Sequence, residues 1–152
     1  MNSIEVNNHE IFKVMKLAFE NNQTFILRVR GTSMFPLLKD KKDSVRLAPI
    51  NGELKKRDIV LYRRTNGAYV MHRIIKIKDG VYSMVGDNQR LIETPIYKEQ
   101  ILAIATHIIK NDKEVEIKKS KKYRFFGWFW CLSLFMRACI LKIIRPLFLK
   151  KG

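Results

Sequence analysis

The sequence predicts a mainly β, antiparallel domain with a short N-terminal helix and a C-terminal helical tail. Three observations carry this. Short apolar segments recur along the body, each bounded by turn-forming residues. Two of the breaks, Asn66-Gly67 and Asp79-Gly80, are strong signals for tight hairpin turns. Near Lys118 the alternating pattern stops, and KKSKKYR followed by FFGWFWCLSLF takes over. The domains expected are therefore an N-terminal helix within 1–23, a β domain over 24–118 and a tail over 119–152.

Taking the elements in order, Ile11, Phe12, Val14, Met15, Ala18 and Phe19 recur at helical spacing between His9 and Asn21, with Asn8 as N-cap. Thr24 to Arg30 (TFILRVR) suits a strand and runs directly into Gly31, Thr32 and Ser33. Further strands are expected at Ser44–Ala48, Ile59–Arg63, Tyr69–Lys78, Val81–Val85, Ile101–Ile109 and Val115–Lys118. At 152 residues, 47% of them hydrophobic and 29% charged, the chain is long enough for one core and lacks the composition of a disordered one.

The net charge is +16, and ten of those units come from Lys and Arg at or after Lys118, where no Asp or Glu occurs. A cationic, aromatic terminus suits an anionic partner, either phospholipid head groups or nucleic acid. Phe125 to Met136 is an uncharged run of twelve residues, short of the roughly 20 that cross a bilayer, and Arg137, Lys142 and Arg145 interrupt any extension. The expectation is an amphipathic segment lying in an anionic membrane surface through residues 118–151. A tilted span is the alternative, and a helix docked on the domain the third. The opening MNSIEVNNHE has neither a basic start nor an apolar stretch, so no secretory signal is expected. Cys131 and Cys139 are the only cysteines and provide no disulfide framework.

Ser33 stands out chemically. A serine hydroxyl needs a base within reach and donors aimed at the oxyanion, and a serine after Gly31-Thr32 at a strand end suits both. Met34 and Pro36 would hold the turn rigid, although a plain turn serine is the commoner fate of any one serine. His72 is a candidate base and His9 and His107 are others; the first sits at the start of the helix, the last on a late strand. No His-x-x-x-His spacing, paired body cysteines or Gly-rich phosphate loop occurs, so neither metal nor cofactor is expected.

Four segments taken together reach further: Gly31-Thr32-Ser33-Met34-Phe35-Pro36-Leu37-Leu38, Arg57-Asp58-Ile59-Val60, Val70-Met71-His72-Arg73-Ile74 and Gly86-Asp87-Asn88. In this order, over residues 24 to 108, they resemble the boxes of signal peptidases and SOS-repressor-type self-cleaving proteins. The resemblance implies a serine endopeptidase that removes a leader or signal segment from a polypeptide, with Ser33 as nucleophile. Where bacterial members of that superfamily have a lysine base, the endoplasmic-reticulum and archaeal types have histidine, and here the position is His72. An imidazole with an ordinary pKa of roughly 6.5 serves near neutrality without the desolvation a lysine needs. By the same resemblance Asp87 orients and stabilises His72 as third catalytic residue, with Asp58 the weaker candidate. Gly31 departs from the pattern, since many signal peptidases have a serine there as oxyanion donor. The Ser33 N–H remains, and Thr32 or a neighbouring backbone group would supply the second donor.

Two alternatives stay open: a non-catalytic peptide-binding module, and an SOS-repressor-type regulator. Against the latter stand the short stretch before the first strand and the lack of any Ala-Gly or Cys-Gly bond for self-cleavage; nucleic acid is therefore not the expected partner. The expected location is the membrane of a bacterial or archaeal cell, with the catalytic domain on the cytoplasmic face.

Overall fold

The computed structural model describes residues 8–132 and 134–149. Helix α1 (Asn8–Glu20) opens the chain close to where apolar spacing places it. It turns Met15 into the core and stacks Phe12 on Tyr69, ring centroids 3.5 Å apart. Eight strands follow: β1 (Phe25–Arg28), β2 (Ser44–Ala48), β3 (Ile59–Arg63), β4 (Tyr69–Lys78), β5 (Val81–Val85), β6 (Glu93–Ile96), β7 (Ile101–Lys110) and β8 (Lys113–Glu116). All pairings are antiparallel, in the order β1-β2-β7-β3-β4-β5-β6, with β8 against the far half of β7.

The hairpin signals act as expected. Asn66-Gly67 lies in the loop joining β3 to β4, and Asp79-Gly80 is a two-residue turn between Lys78 and Val81 with φ of 51° and 76°. Positive φ at both central residues matches the right-handed twist of the flanking strands, and only Gly, Asn and Asp adopt it readily. β6 is the strand missing from the sequence reading. Its Pro95 argues against a strand, but β6 lies at the edge of the sheet, where a missing N–H is tolerated.

β3 is buried on both faces. Ile59 and Leu61 join Val45, Leu47, Ala103, Ala105 and Ile108 in one core cluster, while Val60 and Tyr62 join Ile74, Tyr82, Met84 and Ile96 in another. The Ser33 loop is pinned to the first cluster by Met34, Leu37 and Leu38, all buried.

The tail forms two helices rather than one, α2 (Lys121–Leu132) and α3 (Leu134–Leu149), and α2 is seated on the body. Tyr123 and Phe126 pack against the first core cluster and Trp130 is buried. Among the described residues, no single helix is long and apolar enough to cross a membrane; α2 and α3 meet at 117°. Both cysteines are free.

Candidate active site

β1 delivers the chain to Gly31, whose φ of +84° lies in the left-handed region that favours glycine. This explains the departure at that position in backbone terms, since a Cβ there would meet open space. The Gly31 N–H donates to Asp40 Oδ1 at 2.8 Å, and Val29 exchanges backbone bonds with Lys41 and Asp43, closing the loop. Thr32 is exposed, Ser33 and Pro36 are half-buried, and Met34 is buried beneath them. Truncating a buried methionine such as Met34 to alanine costs about 2–5 kcal/mol, so the loop is held by packing as well as by hydrogen bonds.

His72 stands on β4 directly opposite Val60 of β3 and is completely buried. Side chains diagonal across an antiparallel pair share a face, and this brings Tyr62 to His72. The Tyr62 hydroxyl lies 2.9 Å from His72 Nδ1, and Glu93 Oε1 lies 3.4 Å from the same nitrogen. Glu93 is hydrogen-bonded in turn by Tyr62 and, at both oxygens, by Arg64. Burial pushes the imidazole down to about 4; the Arg64 cation adds to this, and Glu93 and Asp87 oppose it. Burial raises Glu93, but hydrogen bonds from Arg64 and Tyr62 outweigh it and hold the carboxyl below its usual range. Tyr62 and Nδ1 share one hydrogen bond whose direction follows the imidazole tautomer; with the proton on Nδ1, the lone pair of His72 falls on Nε2.

The Gly86-Asp87-Asn88 turn touches both the Ser33 backbone and His72. The Asn88 N–H donates to the Ser33 carbonyl at 2.8 Å. A Cβ on Gly86 would lie 2.7 Å from that carbonyl oxygen and 3.0 Å from His72 Nε2. The glycine is thus wedged between the Ser33 backbone and the base, a close approach that no side chain permits. Nε2 itself is buried and has no hydrogen-bond partner among the described residues.

The resemblance gives Asp87 the role of orienting His72; in the structure its carboxylate is bonded to Arg73. Its two oxygens are held by Arg73, Nε at 2.8 Å and Nη2 at 2.7 Å, with both side chains buried. Consecutive strand residues point to opposite faces, so Arg73 and His72 leave β4 on opposite sides and Asp87 goes with Arg73. The contact to Nδ1 belongs to Tyr62 and Glu93, which the sequence reading missed. Asp58 accepts a hydrogen bond from the Lys55 N–H as a turn residue before β3. His107 contacts Thr106 at 2.9 Å, away from these groups; the side chain of His9 lies outside the described residues.

The Ser33 loop and the buried imidazole of His72 meet at the same glycine turn, an arrangement compatible with a serine peptidase-type hydrolase. Comparison with known families agrees: residues 2–109 match the Peptidase S24-like family, and the chain belongs to it. The family is one of serine peptidase-type hydrolases with polypeptide substrates, some of its members being non-catalytic regulators. No individually curated protein matches the chain at a significant level.

Proposed function

We propose that this chain is a serine endopeptidase of the histidine-base type that removes a leader or signal segment from a polypeptide. The observation that carries the reading is the Gly86 turn, which holds the Ser33 carbonyl and His72 Nε2 against one glycine. In this reading His72 Nε2 takes the Ser33 hydroxyl proton as Oγ attacks the scissile carbonyl, then returns it to the leaving amine. Tyr62 and Glu93 keep Nδ1 protonated and stabilise the imidazolium. The Ser33 N–H, which no hydrogen bond among the described residues occupies, supplies one oxyanion donor and a group of the Thr32 turn the second.

β1 is an edge strand that runs into the Ser33 loop, so an extended substrate has a strand edge to pair with and is led to the nucleophile. The basic tail over residues 118–151 suits an anionic membrane surface, and the cytoplasmic face of a bacterial or archaeal membrane is the proposed location. Incubation of the full chain with a peptide library, read by mass spectrometry, tests the function. Cleavage lost in both Ser33→Ala and His72→Ala supports it. Cleavage that survives in Ser33→Ala refutes the mechanism, and peptide binding without cleavage by the wild type assigns a binding module instead.

A further inference from the structure

Helix α2 has one face committed to the body and one left to solvent. Tyr123 and Phe126 pack on the first core cluster, and Trp130 Nε1 donates to the Asp87 carbonyl at 2.8 Å. The opposite face is thereby held out, with Lys121, Arg124, Phe125 and Trp128 exposed at i, i+3, i+4 and i+7. These four and Arg57, from the turn before β3, line one open groove of about 370 Å³, the small end of the roughly 300–1,000 Å³ that holds a ligand. Phe125 is 63% and Trp128 49% exposed, their ring centroids 5.9 Å apart.

Arg57 is brought to this groove by an unusual backbone. Its φ of +82° lies in the left-handed region that a residue with a long side chain seldom occupies. Two bonds hold it there: the Arg57 N–H donates to the Ile74 carbonyl at 2.7 Å, and Arg73 Nη1 donates to the Arg57 carbonyl at 3.1 Å. Gly127 meets it from the helix side, since a Cβ there would lie 3.8 Å from Arg57 Cβ and 3.1 Å from Arg73 Nη1. The missing side chain lets α2 lie close against the turn. Backbone strain that the surroundings impose in this way gathers at ligand clamps.

The groove holds cations without local partners. Among the described residues no ion pair occupies Arg57, Lys121 or Arg124. Lys55 and Lys56 are exposed beside Arg57, while the Asp58 carboxylate turns back to the Lys55 N–H at 2.8 Å. Glu116 is paired with Lys119 at 2.8 Å, and no acidic residue follows it in the chain. The occupant is therefore anionic. Aromatic rings among cations suit a lipid interface or a nucleic acid, and the aliphatic side chains of the tail decide between them. Met136 and Ile143 are also exposed, groups that acyl chains accommodate and that base stacking does not use.

We infer that this groove is a docking site for an anionic phospholipid head group, built jointly by α2 and the Lys55-Lys56-Arg57 turn, so that the chain lies on a membrane with α2 still seated on the body. The inference rests on the membrane location proposed above and is independent of the peptidase chemistry. The test is sedimentation of the full chain with vesicles of phosphatidylcholine alone or with one-third phosphatidylglycerol, at one salt concentration. Binding is expected on the anionic vesicles only. Arg57→Asn removes a cation outside the tail and suits the left-handed backbone, so thermal unfolding is unchanged or raised while partition falls about fivefold. Adding Arg124→Gln brings the loss to roughly 30-fold. Lys98→Gln, the same change of charge outside the groove, shifts partition by less than about twofold. Trp128 emission moves to the blue on the anionic vesicles, and Trp128→Phe removes that shift. Labelling of Ser33 by a fluorophosphonate probe in detergent keeps its wild-type rate in Arg57→Asn, as a check that the body is intact. Equal partition of wild type and Arg57→Asn overturns the groove and leaves membrane binding to the tail alone. No partition of the wild type removes the membrane location and the groove with it. Tighter binding to single-stranded DNA than to the anionic vesicles gives the groove to nucleic acid and overturns the lipid assignment.

Discussion

Replacing Gly86 by alanine tests the contact on which the site depends. The added methyl would sit 2.7 Å from the Ser33 carbonyl oxygen, 2.8 Å from Gln89 Oε1 and 3.0 Å from His72 Nε2. Gln89 is the end of a flexible side chain and can move aside. The other two cannot move freely: the carbonyl is held by the Asn88 N–H at 2.8 Å, and the imidazole is buried and held by Tyr62. To reach ordinary contact the Ser33 backbone has to retreat by about 0.5 Å or more, lengthening its bond to Asn88 and moving the nucleophile from the base. Overpacking of this kind costs about 1–3 kcal/mol, or roughly 3–10 °C in Tm for a chain of this length. A displacement approaching 1 Å at the reacting groups costs about 10²-fold in rate. Thermal unfolding and the Ser33 labelling rate on anionic vesicles read the two effects separately. An alanine variant with wild-type stability and rate would show that nucleophile and base do not meet across this turn.

Other substitutions separate the roles of the two carboxylates. Asp87→Asn leaves the Arg73 guanidinium buried without its ion pair and is expected to cost about 3–5 kcal/mol in urea unfolding. Adding Arg73→Met recovers part of that loss; a stable Asp87→Asn variant with a shifted pH–rate profile would instead give Asp87 the orienting role the sequence suggested. Glu93→Gln removes the charge that raises the His72 pKa, so the acid limb of the pH–rate profile moves lower, and Tyr62→Phe slows the reaction about 10- to 100-fold with the fold intact. Stability also follows pH. His72 is held at about 4 when folded and has an ordinary value of about 6.5 when unfolded, so between these pH values the unfolded chain binds a proton the folded one does not. Stability is therefore full above that window and falls by about 3 kcal/mol as pH drops through it, with the lowered Glu93 adding a loss of the same sign in acid. Urea midpoints across this range, compared with those of His72→Gln, check the sign and size.

Most of the sheet was legible because turn chemistry marks it. The strands β2, β3, β4 and β5 fall where apolar runs end in Asn-Gly, Asp-Gly or charged turns, and the Lys78–Val81 register follows from a two-residue loop. β6 was not, since a proline inside a run reads as a break unless the strand is known to be an edge. Glu93 was missed with it. Tyr62 was within reach: the Asn66-Gly67 hairpin pairs Val60 with His72, and the diagonal neighbour is then Tyr62. Asp87 was assigned by family likeness, which carries a residue's position and not its partners; its bonds to Arg73 show only in the structure. The seating of α2 was hidden for another reason. Its Tyr123, Phe126, Gly127 and Trp130 stripe is interleaved with cations, and the composition of the whole segment points to a membrane more loudly than one face points to a protein surface.

The most direct test of the central claim is the site of fluorophosphonate attachment at neutral pH on anionic vesicles, mapped by mass spectrometry in wild type, Ser33→Ala and His72→Gln. The account predicts a single adduct on Ser33 that is absent from Ser33→Ala and formed at least about 10²-fold more slowly in His72→Gln. An adduct on another residue, or one on Ser33 that forms as fast without His72, would contradict it.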